Sequence, residues 1–295
     1  MINGFIPDHM VGMRGIMEGD FRMGGTSDKP LFSGSVKTDS VYVYSDMYGV
    51  SLRMQDRTII LDNSTIKLDK LILYSDKNDE LSLNGNIDFT NLDKILLNLS
   101  MMARDFQVVD RKRDNLSLLY GKAFVNLNAT IKGSLDAMVM RGTLNLLGST
   151  DVTYVLKDSP LTVEDRLQDL VTFVDFSDTT QVRQEIVKKP ISGMDMVMNL
   201  NISEGARVGC DLSANRESYV DLTGGGDLVM KYGSDGEMRL TGRYTINNGE
   251  MKYALPVIPL KTFHLASGSY VEFTGDMGNP HLNITATEQM KASVA

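Results

Sequence analysis

The stretch GSYVEFTGDMGNPHLNITAT, residues 268–287, contains two short alternating runs joined by a turn rich in Gly, Asp, Asn and Pro. A β-strand points successive side chains to opposite faces of its sheet. The alternation therefore predicts a hairpin with Val271, Phe273, Leu282 and Ile284 on one face and polar neighbours on the other. A sheet with one apolar face needs something to cover that face, and this cover decides the function.

Alternating runs of this kind recur along most of the chain. Examples bounded by turn residues are 81–89, 123–133, 140–148, 196–203, 219–233, 237–255 and 263–275. Such runs predict an all-β fold of roughly twenty strands, most of them antiparallel and joined by short connections.

Glycine-containing pairs and triplets mark places where these strands turn or bend. Asn-Gly or Asp-Gly pairs begin at positions 84, 235 and 248, and such pairs suit tight hairpin turns, so we expect a turn at each. The three consecutive glycines at 224–226 predict a bulge or bend within a sheet. A phosphate-binding loop is disfavoured there, because no helix start follows the glycines.

One segment departs from the alternation. After Pro160, apolar residues recur at spacings of three and four up to Val174, with Thr162 as a candidate N-cap. This pattern predicts a short amphipathic helix, followed by a polar, mobile loop. The helix either caps one end of the sheet or docks on a membrane surface or a partner. We therefore divide the chain into a strand-repeat segment 1–159, an insertion 160–193 and a C-terminal β segment 194–295.

Composition limits the classes of function. The chain has 295 residues, 42% of them hydrophobic, and a net charge of −8 with scattered Lys and Arg. Because phosphate binding needs a basic face, we expect no nucleic-acid partner. Cys210 is the single cysteine, so no intramolecular disulfide forms. The first twenty residues resemble neither a signal peptide nor a membrane span, so we expect either a cytosolic protein or a fragment whose targeting segment lies upstream.

Catalytic and metal-binding patterns are not found. His9, His264 and His281 are isolated from other candidate ligands at recognised spacings. The serines lie in no nucleophile motif, and the candidate carboxylate pairs fall on expected turns. We therefore expect a protein that is not an enzyme, with no metal site and no cofactor.

The C-terminal segment resembles a known family. Its pattern comprises an Ile-Asn-x-Gly turn, a Tyr-containing strand, a Lys-x-Phe step, a Gly-Ser element and Phe-Thr-Gly-Asp before Asn-Pro. The matching positions are Ile246, Asn247, Gly249, Tyr253, Lys261, Phe263, Gly268, Ser269, Phe273 to Asp276, Asn279 and Pro280. This pattern resembles the carboxy-terminal region of the AsmA-like translocation and assembly module family, TamB, as found in Bacteroidetes. The helix predicted after Pro160 is also similar to this family.

The resemblance implies a long cell-envelope protein, anchored in the inner membrane and crossing the periplasm. It implies an elongated sheet curled into a groove, the β-taco, whose apolar interior carries phospholipid acyl chains between the membranes. It also implies support of outer-membrane protein assembly together with an Omp85-type barrel. Because the chain lacks the anchor and stops at Ala295, short of the stretch that is implied to contact the barrel, we expect a fragment of such a protein.

The resemblance assigns the apolar side chains of the C-terminal segment to the groove lining. The predicted groove residues are Val220, Leu222, Leu228, Met230, Met238, Leu240, Tyr244, Ile246, Met251, Tyr253, Phe263, Leu265, Val271, Phe273, Leu282 and Ile284. Methionine adapts to varied apolar shapes, and the chain has 19 of them, although methionine also fills ordinary cores.

Two alternatives remain open. One is a structural or adhesive β-solenoid with a filled core, which alternation alone does not distinguish from a groove. The other is a fragment of an outer-membrane β-barrel. Barrel strands need about 9 to 11 residues and aromatic girdles. The chain has no Trp, and charges interrupt many of its runs, so the barrel is the weaker alternative.

Overall fold

The computed structural model describes most of the chain. The described residues are 12–26, 29–45, 49–114, 118–156, 193–213, 215–233, 236–255 and 258–288, with the backbone alone at 29, 30, 254, 255 and 258–260. The predicted helix, the loop after it and the Asp-Gly pair at 235 involve positions outside these ranges and stay predictions. Among the described residues, no helix has the length and hydrophobicity needed to cross a bilayer.

The described residues form a single sheet of eighteen strands. The strands are β1 (Gly12–Thr26), β2 (Lys29–Ser45), β3 (Val50–Met54), β4 (Thr58–Asp62), β5 (Thr65–Tyr74), β6 (Glu80–Asp88), β7 (Leu96–Arg111), β8 (Leu119–Ser134), β9 (Ala137–Leu146), β10 (Asp151–Val155), β11 (Met194–Ile202), β12 (Arg207–Asp211), β13 (Tyr219–Tyr232), β14 (Met238–Leu255), β15 (Ile258–Leu265), β16 (Tyr270–Asp276), β17 (His281–Asn283) and β18 (Ala286–Thr287). The predicted all-β class is confirmed.

The strands stack as rungs along one axis. Five rungs consist of two short strands in line, namely β3 with β4, β9 with β10, β11 with β12, β15 with β16 and β17 with β18, so the eighteen strands form thirteen rungs. Neighbouring strands lie about 4.8 Å apart, which gives a stack roughly 60 Å long. β1 occupies one edge, and β17 with β18 occupies the other.

One pair of neighbouring rungs is parallel. β11 pairs with β9 and β12 pairs with β10 in the parallel sense, whereas the other ladders are antiparallel. The chain leaves β10 at one rim of the stack and begins β11 at the opposite rim, and residues 157–192 connect the two. Parallel neighbours require a long crossover of this kind, while antiparallel neighbours need only a tight turn. The sheet is continuous across this connection, and the proposed segment boundaries at 159 and 194 stay predictions.

The rungs from β7 onward are bent near their middle by bulges and interruptions that follow one another across the sheet. We call this the fold line, and it consists of residues 104–105, 147–150, 203–206, 247–248, 266–269 and 284–285. Backbone N–H groups keep adjacent rungs joined there, with Ser203 donating to Leu146 at 3.0 Å, Gly224 to Ala206 at 3.4 Å, Ile246 to Ser269 at 2.7 Å and Ala266 to Thr285 at 2.8 Å. The sheet therefore bends without losing its pairing.

The fold line divides the later rungs into two walls. The β11 wall comprises β9, β11, β16 and the adjoining halves of β8, β13 and β14; the β12 wall comprises β10, β12, β15 and the other halves of β8, β13 and β14. Tyr244 and Ile246 from the first wall pack with Leu265 from the second in one buried cluster. Both walls bring the same face of the sheet toward this cluster, so that face lies on the inside of the bend.

Glycines allow the closest approach of strands at the bend. At Gly224 a Cβ would lie 2.1 Å from the Thr245 carbonyl oxygen, and at Gly226 it would lie 2.0 Å from that of Arg243. The register between β13 and β14 shifts between Thr223 and Gly224. The bend predicted from the three consecutive glycines is therefore confirmed.

Two predicted turns are wrong. The pair beginning at Asn84 lies inside β6, and the pair beginning at Asn248 lies inside β14. Both pairs stand at bends: the Asn84 Oδ1 accepts the Lys70 N–H at 2.9 Å, beside a bulge of β5, and Asn248 adjoins the bulge of β14. The conformations that Asn-Gly supplies to a hairpin turn also serve a bulge, and sequence alone does not distinguish the two.

The predicted C-terminal hairpin is confirmed. β16 and β17 pair in the antiparallel sense with Val271 opposite Leu282 and Glu272 opposite His281. Gly278 N–H donates to the Asp276 carboxylate at 2.8 Å and closes the turn between the strands. Val271, Phe273 and Leu282 therefore share one face, as the alternation predicts, whereas Ile284 lies beyond the end of β17.

Candidate functional site

The inner face of the bend carries continuous columns of apolar residues. Directly opposed residues on paired strands point to the same face, so the register defines each column. One column runs through the β11 wall and the rungs before it, through Leu73, Leu81, Ala103, Leu127, Leu144, Leu200, Leu228, Gly242 and Phe273. The next runs Phe106, Val125, Leu146, Ile202, Gly226, Tyr244, Val271 and Leu282. We call this surface the inner face.

The β12 wall continues the inner face beyond the fold line. Its column runs Leu119, Tyr154, Cys210, Val220, Met251 and Phe263. Burial raises the pKa of the Cys210 thiol, and the neighbouring Asp211 carboxylate adds to the rise. The thiol therefore stays protonated at neutral pH and contributes a weakly polar group to the lining.

Burial differs sharply between the fold line and the ends of the stack. Ile246 is 0% exposed and Leu265 is 6% exposed, because side chains of both walls pack over them. Met238, the first residue of β14, is 42% exposed, while Leu282 and Met23, on the two terminal rungs, are 64% and 75% exposed. The protein thus covers its own floor, whereas the apolar side chains at the start of β14 and on the terminal rungs are left exposed by the described residues.

The outer face is polar along the matching positions. One step from the Tyr244 column, the opposed residues are Asn126, Asn145, Asn201, Asp227, Arg243, Glu272 and His281. Asn201 donates to the Asn145 side-chain oxygen at 2.7 Å, and Arg243 donates to Glu272 at 3.0 Å. The sheet therefore has an apolar inner face and a polar outer face, and only the thickness of one sheet separates them.

A charged network covers the outer face of the β12 wall. The fully buried Asp211 accepts from Arg113 Nε at 3.2 Å and from the Tyr120 hydroxyl at 3.0 Å. Arg207 and Arg216 both donate to the same Asp221 oxygen, at 2.8 and 2.9 Å. Acidic and basic groups neutralise one another here, so this network offers no unpaired charge cluster to an ionic ligand within the described part of the chain.

The structure brings the predicted groove residues together. Except for Ile284, all of them lie in strands, on the inner face. Ile284 follows β17 in the interruption between β17 and β18, and it is 41% exposed. Their contact with lipid stays a prediction.

The comparisons with known proteins address the family. A scan against family models matches the TamB C-terminal domain over residues 67–294, which is more than half of the chain. The chain belongs to the TamB family. Searches of the curated proteins and of the solved structures return no match. The predicted TamB family is confirmed, and the match begins far upstream of the region in which the sequence resemblance was specific.

The register extends the inner face upstream of the predicted residues, within the range of the TamB match. Leu73, Leu81, Leu127, Leu144 and Leu200 belong to the same column as Phe273, yet they were not predicted as lining. The signal that could have found them is the alternation in runs 81–89, 123–133 and 140–148. The groove lining is predicted only for the C-terminal rungs because the family-specific motifs lie there.

Proposed function

We propose that this chain is a segment of a periplasm-spanning bridge whose inner face carries phospholipid acyl chains between the inner and outer membranes. The observation that supports the proposal is the set of apolar columns along the inner face, together with exposed apolar side chains at Met238 and on the terminal rungs. Each buried methylene contributes roughly 0.8 kcal/mol, so acyl chains are suitable occupants of such a surface. The polar outer face suits passage through an aqueous compartment.

The cellular setting is part of the same proposal and rests on membership of the TamB family. In the longer protein, an inner-membrane anchor precedes the bridge, and an Omp85-type barrel in the outer membrane receives its end. Lipid delivery then supports outer-membrane protein assembly. The chain acts without catalysis and without a cofactor, since binding and guiding an apolar chain requires no bond to be made or broken.

A structural solenoid with a filled core is the second candidate. The buried cluster of Tyr244, Ile246 and Leu265 favours it, because this part of the interior is filled by the protein itself. The two candidates differ in what contacts the inner face away from the cluster. A filled core leaves lipid no place there, whereas a conduit presents that surface to acyl chains.

Crosslinking at matched positions tests the proposal. A photo-reactive amino acid is placed at Phe273 or Met230 on the inner face, and at the adjacent Glu272 or Lys231 on the outer face. Because one step along a strand reverses the face, each pair differs in orientation while sharing its position. We expect lipid adducts at Phe273 and Met230 and few at their neighbours, measured by mass spectrometry after expression in cells. Equal labelling at both members of each pair, together with no lipid extracted from detergent-free protein, would contradict a conduit.

A further inference from the structure

The hydroxyl of Tyr244 is buried without a partner. Among the described residues, no group lies within hydrogen-bonding distance of its Oη, and the residue is 6% exposed. Burial raises the pKa of Tyr244 to about 12. The group is therefore a neutral O–H donor at physiological pH.

Two tyrosine hydroxyls on the opposite face of the sheet have partners within the chain. Tyr120 donates to Asp211 and Tyr219 donates to Glu250, both on the outer face of the β12 wall. Tyr244 instead lies on the inner face, where it packs with Ile246 and Leu265 and against Ile202, Leu222 and Met251. Leaving a buried hydroxyl unpaired costs about 1 to 3 kcal/mol, whereas a phenylalanine of the same shape would avoid that cost. An acceptor from outside the chain would explain why a tyrosine, and not a phenylalanine, occupies this position.

The chemistry of the surroundings restricts the acceptor. The residues opposite and beside Tyr244 on the inner face are Gly226, Val271, Ile202 and Leu282, and none carries a charge. A carboxylate would lie there without a cation, which is strongly unfavourable. A neutral acceptor attached to hydrocarbon on either side is compatible with the donor and with its neighbours.

We infer that the Tyr244 hydroxyl donates a hydrogen bond to an ester carbonyl oxygen of a phospholipid whose acyl chains lie along the fold line. The inference rests on the proposed function and adds a polar subsite to an otherwise apolar surface. Side chains of the buried cluster move apart to admit the ester. Tyr244 then determines the position at which the glycerol ester region binds, and the acyl chains extend along the columns on either side.

Ester and ether lipids test this contact directly. The purified full chain, prepared without detergent, is incubated with vesicles of dioleoyl phosphatidylglycerol or of its dioleyl ether analogue, which lacks the carbonyl oxygens. Retained lipid is measured by mass spectrometry after size-exclusion chromatography. We expect the wild-type chain to retain about five-fold more ester than ether lipid, as one hydrogen bond provides. In Tyr244→Phe that ratio falls to about one, whereas Tyr270→Phe, on the outer face, keeps the wild-type ratio.

Four outcomes overturn the inference, and each has its own meaning. Equal retention of both lipids by wild type and Tyr244→Phe removes the subsite and leaves the proposed function standing. No retention of either lipid by the wild-type chain removes both. A lower melting temperature of lipid-free Tyr244→Phe than of wild type shows that the hydroxyl already has a partner within the protein. Vesicles supplemented with oleic acid form a further arm, in which preferential uptake of the free acid contradicts an ester as the acceptor.

Discussion

The fold line and the rims belong to one apolar face but differ in what covers them. Along β14, Ile246 at the fold line is fully buried, whereas Met238, eight residues earlier at the rim, is 42% exposed. Both face inward, and both fit the same alternation. The burial of inward side chains therefore varies within one rung, from complete cover at the fold line to partial exposure at its first residue.

The largest expected effect contrasts these two positions. Ile246→Asp places an unpaired carboxylate at a site without solvent, and we expect a loss of more than about 4 kcal/mol in the free energy of unfolding. Met238→Asp leaves its carboxylate in reach of water, and we expect a loss below about 1 kcal/mol. Urea denaturation followed by circular dichroism measures both. Similar losses at the two positions would show that the rim is packed as tightly as the floor.

The pH dependence of stability provides a second contrast. The pKa of Tyr244 is raised from 10.0 to about 12 by burial, so its contribution is fully present below pH 10 and is lost as the pH rises toward 12. At about 1.4 kcal/mol per unit, wild type should lose about 1.4 kcal/mol more than Tyr244→Phe between pH 9 and pH 11. Urea unfolding at pH 9, 10 and 11 measures the difference, and Tyr270→Phe should follow wild type. Parallel profiles for wild type and Tyr244→Phe would mean that water reaches the hydroxyl.

A wall substitution separates lipid occupancy from folding. Phe273 lies in the β11 wall, opposite Gly242, and is partly exposed. Phe273→Glu should keep the fold at a cost of about 1 kcal/mol, while bound phospholipid falls by at least about ten-fold. Glu272→Gln removes only an exposed partner of Arg243 and should change stability by less than about 1 kcal/mol, with lipid content unchanged. If Phe273→Glu unfolds the chain, the wall belongs to a filled core.

The smallest expected effect is on the reactivity of the single thiol. Cys210 faces inward from the β12 wall and is partly exposed, and its raised pKa makes it a slow nucleophile at neutral pH. Phospholipid loading should slow the alkylation of this thiol by N-ethylmaleimide further. If lipid covers the thiol in half to two thirds of the molecules, the rate should fall by about two- to three-fold. A cysteine placed at the outward Asn199, in a Cys210→Ser background, should react at the same rate with and without lipid. Protection of the outer cysteine alone would place the lipid on the wrong face.

Local pattern predicted the strand class and the C-terminal hairpin, because alternation and turn residues act over a few positions. The pairing of β11 with β9 was not predictable in this way, since it depends on a crossover from one rim to the other. The fold line was not predictable from the sequence for a related reason. A bulge such as the one at Asn247 is defined by the partner strand, and Asn248-Gly249 has the composition of a turn although it lies within β14.

The candidate lining was predicted in part. Residues such as Val220, Leu228 and Phe273 share the inner face because period-two alternation determines the side of a strand, even when its partners are unknown. Alternation does not predict how deeply each side chain is buried, because burial depends on the bend of the sheet. Tyr244 and Leu240 have equivalent places in the pattern, yet only Tyr244 lies at the bend and is enclosed by both walls.

The rung architecture has a mechanical consequence. Tension applied between the two ends of the stack passes through the ladders in series, so the weakest ladder sets the load that the molecule bears. β5 is joined to β3 by two opposed residue pairs and to β4 by two, and at the far end β16 is joined to β17 by three and β15 to β18 by two, whereas β1 and β2 are paired almost along their full length. Under strain the molecule would therefore yield first at the junction before β5 or at the β17 and β18 end, while its long ladders keep their shape.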